Sequence, residues 1–148
     1  MFLIPRIKLV RFLDGNIMES NKAGFSKPYQ ITFEFRHEYL YVYVAGMRDS
    51  YEISRQYWQE VADICAEKKV KKVLIEEDIP ELVSMTEVYR LASEIPTMGF
   101  FGIRVAFVDR YTEQHDLNQF GELVAVNRGL YGKLFNDITE AEKWLLVD

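Results

Sequence analysis

A chain of 148 residues with 49% hydrophobic, 28% charged and 14% aromatic residues is sized and composed for one globular domain that buries its core without disulfides or metals. Its net charge of -5 leaves no surplus of Lys and Arg to displace counterions from phosphates, which argues against nonspecific nucleic-acid binding. The single cysteine, Cys65, excludes an internal disulfide and fits a reducing, cytoplasmic compartment. The longest apolar run, Tyr39 to Met47, falls far short of the roughly 20 residues of a membrane helix, so no membrane insertion is expected.

Residues 1–29 read as an N-terminal extension. Arg6, Lys8 and Arg11 interrupt its apolar start before a secretory segment can form; Ile7 to Leu13 has the composition of a strand, and Asp14-Gly15-Asn16 and Glu19 to Lys22 are turn and loop chemistry. The pattern becomes regular over 30–148. Ile31, Phe33 and Phe35 alternate with Thr32, Glu34 and Arg36, as in a half-exposed edge strand. His37-Glu38 makes a tight connection to the continuous apolar run Tyr39 to Ala45, which fits a strand covered on both faces.

Helical spacing then alternates with short strands, the rhythm of βαβ units. Ile53, Tyr57, Val61, Ile64 and Cys65 share one side of a helix near Tyr51 to Lys68, and Val73-Leu74-Ile75 forms a strand ending in the acidic exit Glu76-Glu77-Asp78. Leu82, Met85, Tyr89, Ala92 and Ile95 give the inward stripe of a second helix, which Pro96 ends. After the loop Thr97 to Gly102 come a strand over Ile103 to Val108 and a helix from about Thr112 to Arg128, with Leu117, Phe120, Gly121 and Val124 inward and Gly129 as a left-handed C-terminal cap. A short strand, Lys133 to Phe135, and a helix carrying Ile138, Ala141, Trp144 and Leu145 complete the order ββαβαβαβα: an α/β fold with a mostly parallel sheet, an antiparallel edge strand and packed helices.

Chemistry-bearing residues are few. Ser84-x-x-Glu87 is a capping box at the mouth of the second helix, and Asp137-x-x-Glu140 and Asp49-x-x-Glu52 repeat its spacing. Ser84, with Thr86 beside it, is also placed for phosphorylation at a helix N-terminus, although Glu76, Glu77, Asp78, Glu81 and Glu87 would repel the phosphate. Glu77, Asp78 and Asp109 end adjacent strands, where a divalent metal or an acidic site could sit; turns and helix-start bonds account for the same residues. His37 and His115 lack metal-ligand spacing, so no metal is assigned. Cys65 falls on an inward helix face, as a core residue. No Gly-x-Ser-x-Gly, phosphate loop or dinucleotide fingerprint is present, and no cofactor is implied. Phe100-Phe101, flanked by Gly99 and Gly102, cannot both enter one core from a loop, and at least one marks a partner surface or ligand entrance.

The strand Tyr39 to Gly46, Val73 to Asp78, Ala106-Phe107-Val108-Asp109, the Ala125-Val126-Asn127-Arg128-Gly129 helix ending and Phe135 to Leu145 together resemble the SpoIIAA-like superfamily. This superfamily includes the STAS domains of anti-sigma factor antagonists and sulfate transporters. The likeness is to small uncharacterised bacterial STAS-like or CRAL-TRIO-like proteins, over roughly Ile31 to Leu146. It implies a non-enzymatic regulatory or protein-interaction module, with Ser84 at the position of the antagonists' phosphorylated serine. Here Val83 replaces the expected Asp, and no Gly follows. Binding of a small apolar ligand or lipid is the alternative reading; an Mg²⁺-dependent enzyme using Glu77, Asp78 and Asp109 is a further one. A sequentially wound sheet collects its crossover helices on one face, so a homodimer, or residues Met1 to Leu13, is expected to cover the other.

Overall fold

Alternation along Gln30–Arg36 (β4) and the unbroken run Tyr39–Ala45 (β5) form an antiparallel hairpin, with Arg36 opposite Tyr39 and Glu38 in the left-handed region at φ 68°. From β5 the chain winds sequentially through Tyr51–Glu67 (α1), Lys72–Asp78 (β6), Met85–Glu94 (α2), Arg104–Asp109 (β7), His115–Asn127 (α3), Gly132–Phe135 (β8) and Ile138–Leu146 (α4). The computed structural model describes residues 7–9, 12–13, 16–17, 27–81 and 83–147. It is an α/β domain of the expected order, with β5, β6, β7 and β8 parallel and the antiparallel strands at one edge.

That edge extends one strand further than the pattern suggests. Ile7–Leu9 (β1) pairs antiparallel with β4, Ile7 opposite Phe35, so this part of the extension joins the sheet in its plane rather than covering a face. Phe12–Leu13 (β2) and Asn16–Ile17 (β3) form a separate short ladder, which gives Asn16 a strand position instead of a turn. Leu82 and the loops expected at Asp14-Gly15 and Glu19 to Lys22 lie outside the described residues.

Strand alternation sorts the core into two layers. Leu40, Val42 and Val44 of β5, Val73 and Ile75 of β6 and Val105 of β7 face α1 with Tyr57, Val61, Ile64 and Cys65; all are buried. Tyr39, Tyr41, Leu74, Ala106 and Val108 point the other way, where Ala141 and Leu145 of α4 cover them. The second face therefore has a cover within the chain, which removes the argument that a partner copy is needed to hide it. A crossover rule fixes the side of a helix only between two parallel strands; α4 follows the last strand and is free of it.

Local signals hold at the helix ends. The Ser50 hydroxyl accepts from the Ile53 amide, so Ser50, not Asp49, caps α1. Asp137 caps α4 through the Glu140 amide at 2.8 Å. Helices α1 and α3 close with the same pair of hydrogen bonds: Val70 N–H to the Cys65 carbonyl at 2.8 Å with Lys69 N–H to Ala66 at 3.3 Å, and Leu130 N–H to the Ala125 carbonyl at 3.0 Å with Gly129 N–H to Val126 at 3.1 Å. The left-handed residue is Gly129 in α3, as expected, but Lys69 in α1, at φ 55°.

Candidate functional site

The three acids Glu76-Glu77-Asp78 are the last residues of β6 rather than an exit from it, and pair alongside Tyr43, Val44 and Ala45. Charged residues are poor strand formers. Here tyrosines from other elements satisfy them: Tyr41 donates to Glu76, Tyr43 and Tyr111 to Asp78, and Tyr57 to Glu77. Alternation then separates the acids. Glu76 and Asp78 face the α4 side, where Arg110 spans them, Nε 3.0 Å from Glu76 and Nη1 3.3 Å from Asp78. Hydrogen bonds from Tyr43 and Tyr111, with the Arg110 charge, hold the Asp78 carboxyl below its ordinary range.

Glu77 points to the opposite, α1 side, and so does Asp109, its neighbour across the ladder. The expected set Glu77, Asp78 and Asp109 is thus split between two faces. Among the described residues no group of three His, Cys, Asp or Glu side chains could hold a metal ion. What joins Glu77 and Asp109 instead is Asp49, from the loop between β5 and α1. The three acids rise from the carboxyl ends of three successive parallel strands, where α/β sheets handle ligands.

Desolvation dominates their electrostatics. Burial pushes the Glu77 carboxyl well above its ordinary value, and the charges of Asp49 and Asp109 push it further. Burial raises Asp49 to about 6, against hydrogen bonds from the Ser54 hydroxyl at 2.7 Å and the Ser50 amide at 2.8 Å. Asp109 is also raised by burial, although the Tyr111 amide and Asn118 Nδ2 satisfy both its oxygens, at 2.8 and 2.7 Å. Tyr57 is fully buried, and its phenol is held protonated by burial and by Glu77 beside it.

Beneath this acidic end lies a cavity of about 110 Å³ between the sheet and the pair α2–α3. Trp58 and Phe107, stacked at 5.7 Å and 20°, form its floor. Its roof comprises Val88, Leu91, Ala92 and Ile95 from α2 and the following turn, with Leu117, Gly121 and Ala125 from α3. This corrects the expected stripe of α2. Met85 and Tyr89 are 64% and 47% exposed, and the inward face is Val88-Leu91-Ala92-Ile95. Both stripes have helical spacing; Ala92 and Ile95 belong to each.

Ser84 and Thr86 are exposed and stand outside the acid cluster. The Ser84 hydroxyl caps α2, 3.2 Å from the Glu87 amide, and Glu87 in turn accepts from the Tyr51 amide at 2.9 Å, tying α2 to the first turn of α1. Those contacts, the Tyr51 amide first, lower the Glu87 carboxyl. Phe100 and Phe101 divide as their glycines require: Gly99 at φ 119° and Gly102 at φ 74° make a turn that buries Phe100 edge-on against Trp58 and leaves Phe101 97% exposed. Neither phenylalanine lines the cavity. Burial raises the Cys65 thiol to about 12, which leaves it inert in the core.

Sequence reasoning passed over Asp49, Arg110 and Tyr57 as site residues. The one local signal was the excess of aromatic over apolar need: seven of the nine tyrosines donate to a carboxylate. No protein-family model and no curated protein matches the chain. Among the described residues, no helix is long and apolar enough to cross a membrane.

Proposed function

We propose that this chain is a binding module rather than a catalyst, and that it takes a small, mainly apolar ligand between the sheet and α2–α3. One observation carries this reading: the cavity of about 110 Å³, walled mainly by apolar side chains, with polar groups at its acidic end and Glu122 of α3 and Lys133 of β8 elsewhere on its lining. That arrangement of apolar walls and a few convergent polar groups is the usual form of a small-molecule site. The buried, unreactive Cys65 fits a reducing, cytoplasmic setting.

The test is methyl NMR of the whole protein under xenon pressure, with Ala92→Leu as the blocked control. Shifts confined to Val88, Leu91 and Leu117, and lost in the control, are expected; a spectrum unchanged by xenon overturns the reading.

A second reading, a STAS-like regulatory module that docks a protein, is favoured by the outer surface of the same helices. Exposed Tyr89 stacks there on half-buried Phe120 at 6.4 Å, and Met85, Leu123 and Val126 are exposed. A second copy of the chain is the simplest occupant. Sedimentation that shows a dimer in the native protein and a monomer in Tyr89→Ser supports it; a monomer at all concentrations removes it.

A further inference from the structure

The polar end of the cavity has an unusual balance of donors and acceptors. Glu77 is 4% exposed, and Oε2 takes the Tyr57 hydroxyl. Oε1 accepts from no described residue, yet it is not among the buried atoms sealed from a water-sized probe; Glu77 borders the cavity. Asp49 repeats the pattern: Ser54 and Ser50 both bond Oδ1, and Oδ2 is left over.

The neighbouring amides each direct a donor elsewhere, and no bond from them reaches Glu77 or Asp49. Gln114 Nε2 binds the Ile79 carbonyl at 3.1 Å, and Asn118 binds Asp109. The one basic residue along the cavity, Lys133, pairs with Ala106 on the opposite strand face, and its ammonium lies over the Phe135 ring at 5.5 Å. Buried Glu77 and half-buried Asp49 thus meet the cavity with spare acceptor oxygens, and among the described residues no cation pairs with either.

We infer, resting on the ligand-binding reading above, that the cavity selects a small primary amine, its ammonium seated between Glu77 Oε1 and Asp49 Oδ2 and its hydrocarbon body on Trp58 and Phe107. A ligand that brings both N–H donors and positive charge completes this end once the acids ionise. A hydrocarbon leaves the acids unpartnered, and an alcohol supplies one donor and no charge. Size agrees: a dry cavity of about 150 Å³ admits benzene, so this one suits about five heavy atoms.

In the empty site burial, with the charges of Asp49 and Asp109, favours the protonated form of Glu77, while Asp49, raised to about 6, ionises above that pH. An amine entering neutral takes the Glu77 proton; one entering as ammonium displaces that proton to solvent. Both routes end in the same ion pair, and the second makes the affinity rise with pH. The groups that face Glu77 are Tyr57 from α1, Asp49 from the preceding loop and Asp109 from β7; Glu87 of α2 acts on Asp49. None supplies a counter-charge.

The experiment is calorimetric titration of the full chain with n-butylamine, n-butanol and n-pentane at about pH 6 and about pH 8, beside Glu77→Gln. The amine is expected to bind tightest of the three and more tightly at the higher pH. Glu77→Gln, checked by thermal unfolding for an intact fold, is expected to lose roughly tenfold or more of that affinity while n-pentane binding is kept. If n-butanol or n-pentane binds as well as the amine, or if Glu77→Gln leaves amine binding unchanged, the amine assignment falls and the apolar-ligand reading stands. If none of the three binds, both fall. Should Glu77→Gln fail to fold, the pH dependence and the amine-to-alcohol ratio of the native protein decide alone.

Discussion

Two halves of the same helical layer treat the sheet differently. Helix α1 buries nine of its 17 residues against β5 and β6, whereas α2 buries only Ala92 and α3 only Ala125. All three are crossovers on one face, with comparable sequence patterns. The difference lies in what each finds beneath it: α1 meets a close-packed Leu, Val and Ile surface and borders the cavity only through Ser54, Tyr57 and Trp58, and α2–α3 span that cavity. A helix resting on a void forgoes dispersion contacts on that side. The lesson is that one layer can hold an anchored element and a yielding one, and the yielding one sits where the acids are.

The largest test of this contrast is truncation on each side. Ile64→Ala in α1 is expected to cost about 2–5 kcal/mol, and Leu91→Ala in α2, half-buried at the cavity wall, about 1–2 kcal/mol. Urea denaturation of both variants measures the difference; equal losses would show that α2 is as tightly held as α1. Amide exchange is expected to follow the same order, faster in α2 than in α1.

Next in size is pH. The folded-state values of Asp49, Glu77 and Asp109 lie above their ordinary ones, so the fold favours their protonated forms. Their contribution is present below about pH 4 and is lost as pH rises, through about pH 6 for Asp49, by up to about 3 kcal/mol from that group. Asp78 and Glu87 act in the opposite sense, weakened by solvent screening at their partly exposed carboxylates. The native protein should therefore unfold at a higher urea midpoint near pH 5 than near pH 7, with a flatter profile in Glu77→Gln. A midpoint that rises steadily with pH would mean that the acid cluster does not govern stability.

Smaller effects probe the helix ends that frame the two halves. Ser84→Ala, removing the cap of α2, is expected to lose about 1 kcal/mol, and to speed exchange at Tyr51 because Glu87 loses its partner. Lys69→Gly should gain about 0.5–1 kcal/mol, since a left-handed residue with a side chain is replaced by the one residue without that penalty, while Gly129→Ala should lose a similar amount. Thermal melts that ranked these two substitutions the other way would contradict the shared closing geometry.

Much of this architecture was legible because its signals are local. Periodicity located β4, β5, α1 and the later βα units, and Ser84, Asp137 and Gly129 announced helix ends by residue type alone. The acids of β6 were misread as an exit because charge disfavours a strand unless distant partners satisfy it, and Tyr41, Tyr43 and Tyr57 lie 35, 35 and 20 positions away from theirs. Alternation already sends Glu77 and Asp78 to opposite faces once the strand is known to reach Asp78. Asp49 had a sufficient local explanation as a helix-start acid, and only the fold brings it to Glu77. Arg110 follows a strand whose neighbour was known, but nothing local directs it to Glu76 and Asp78.

The two tryptophans fall on opposite sides of the sheet. Trp58 floors the cavity on Phe107, and Trp144 of α4 packs against Phe135 at 5.6 Å. The protein thus carries its own pair of optical reporters, one for each layer. With Trp144 replaced by Phe, the remaining emission comes from the wall of the cavity, so its colour and quenching follow water and ligand there. With Trp58 replaced instead, the signal follows the docking of α4 alone.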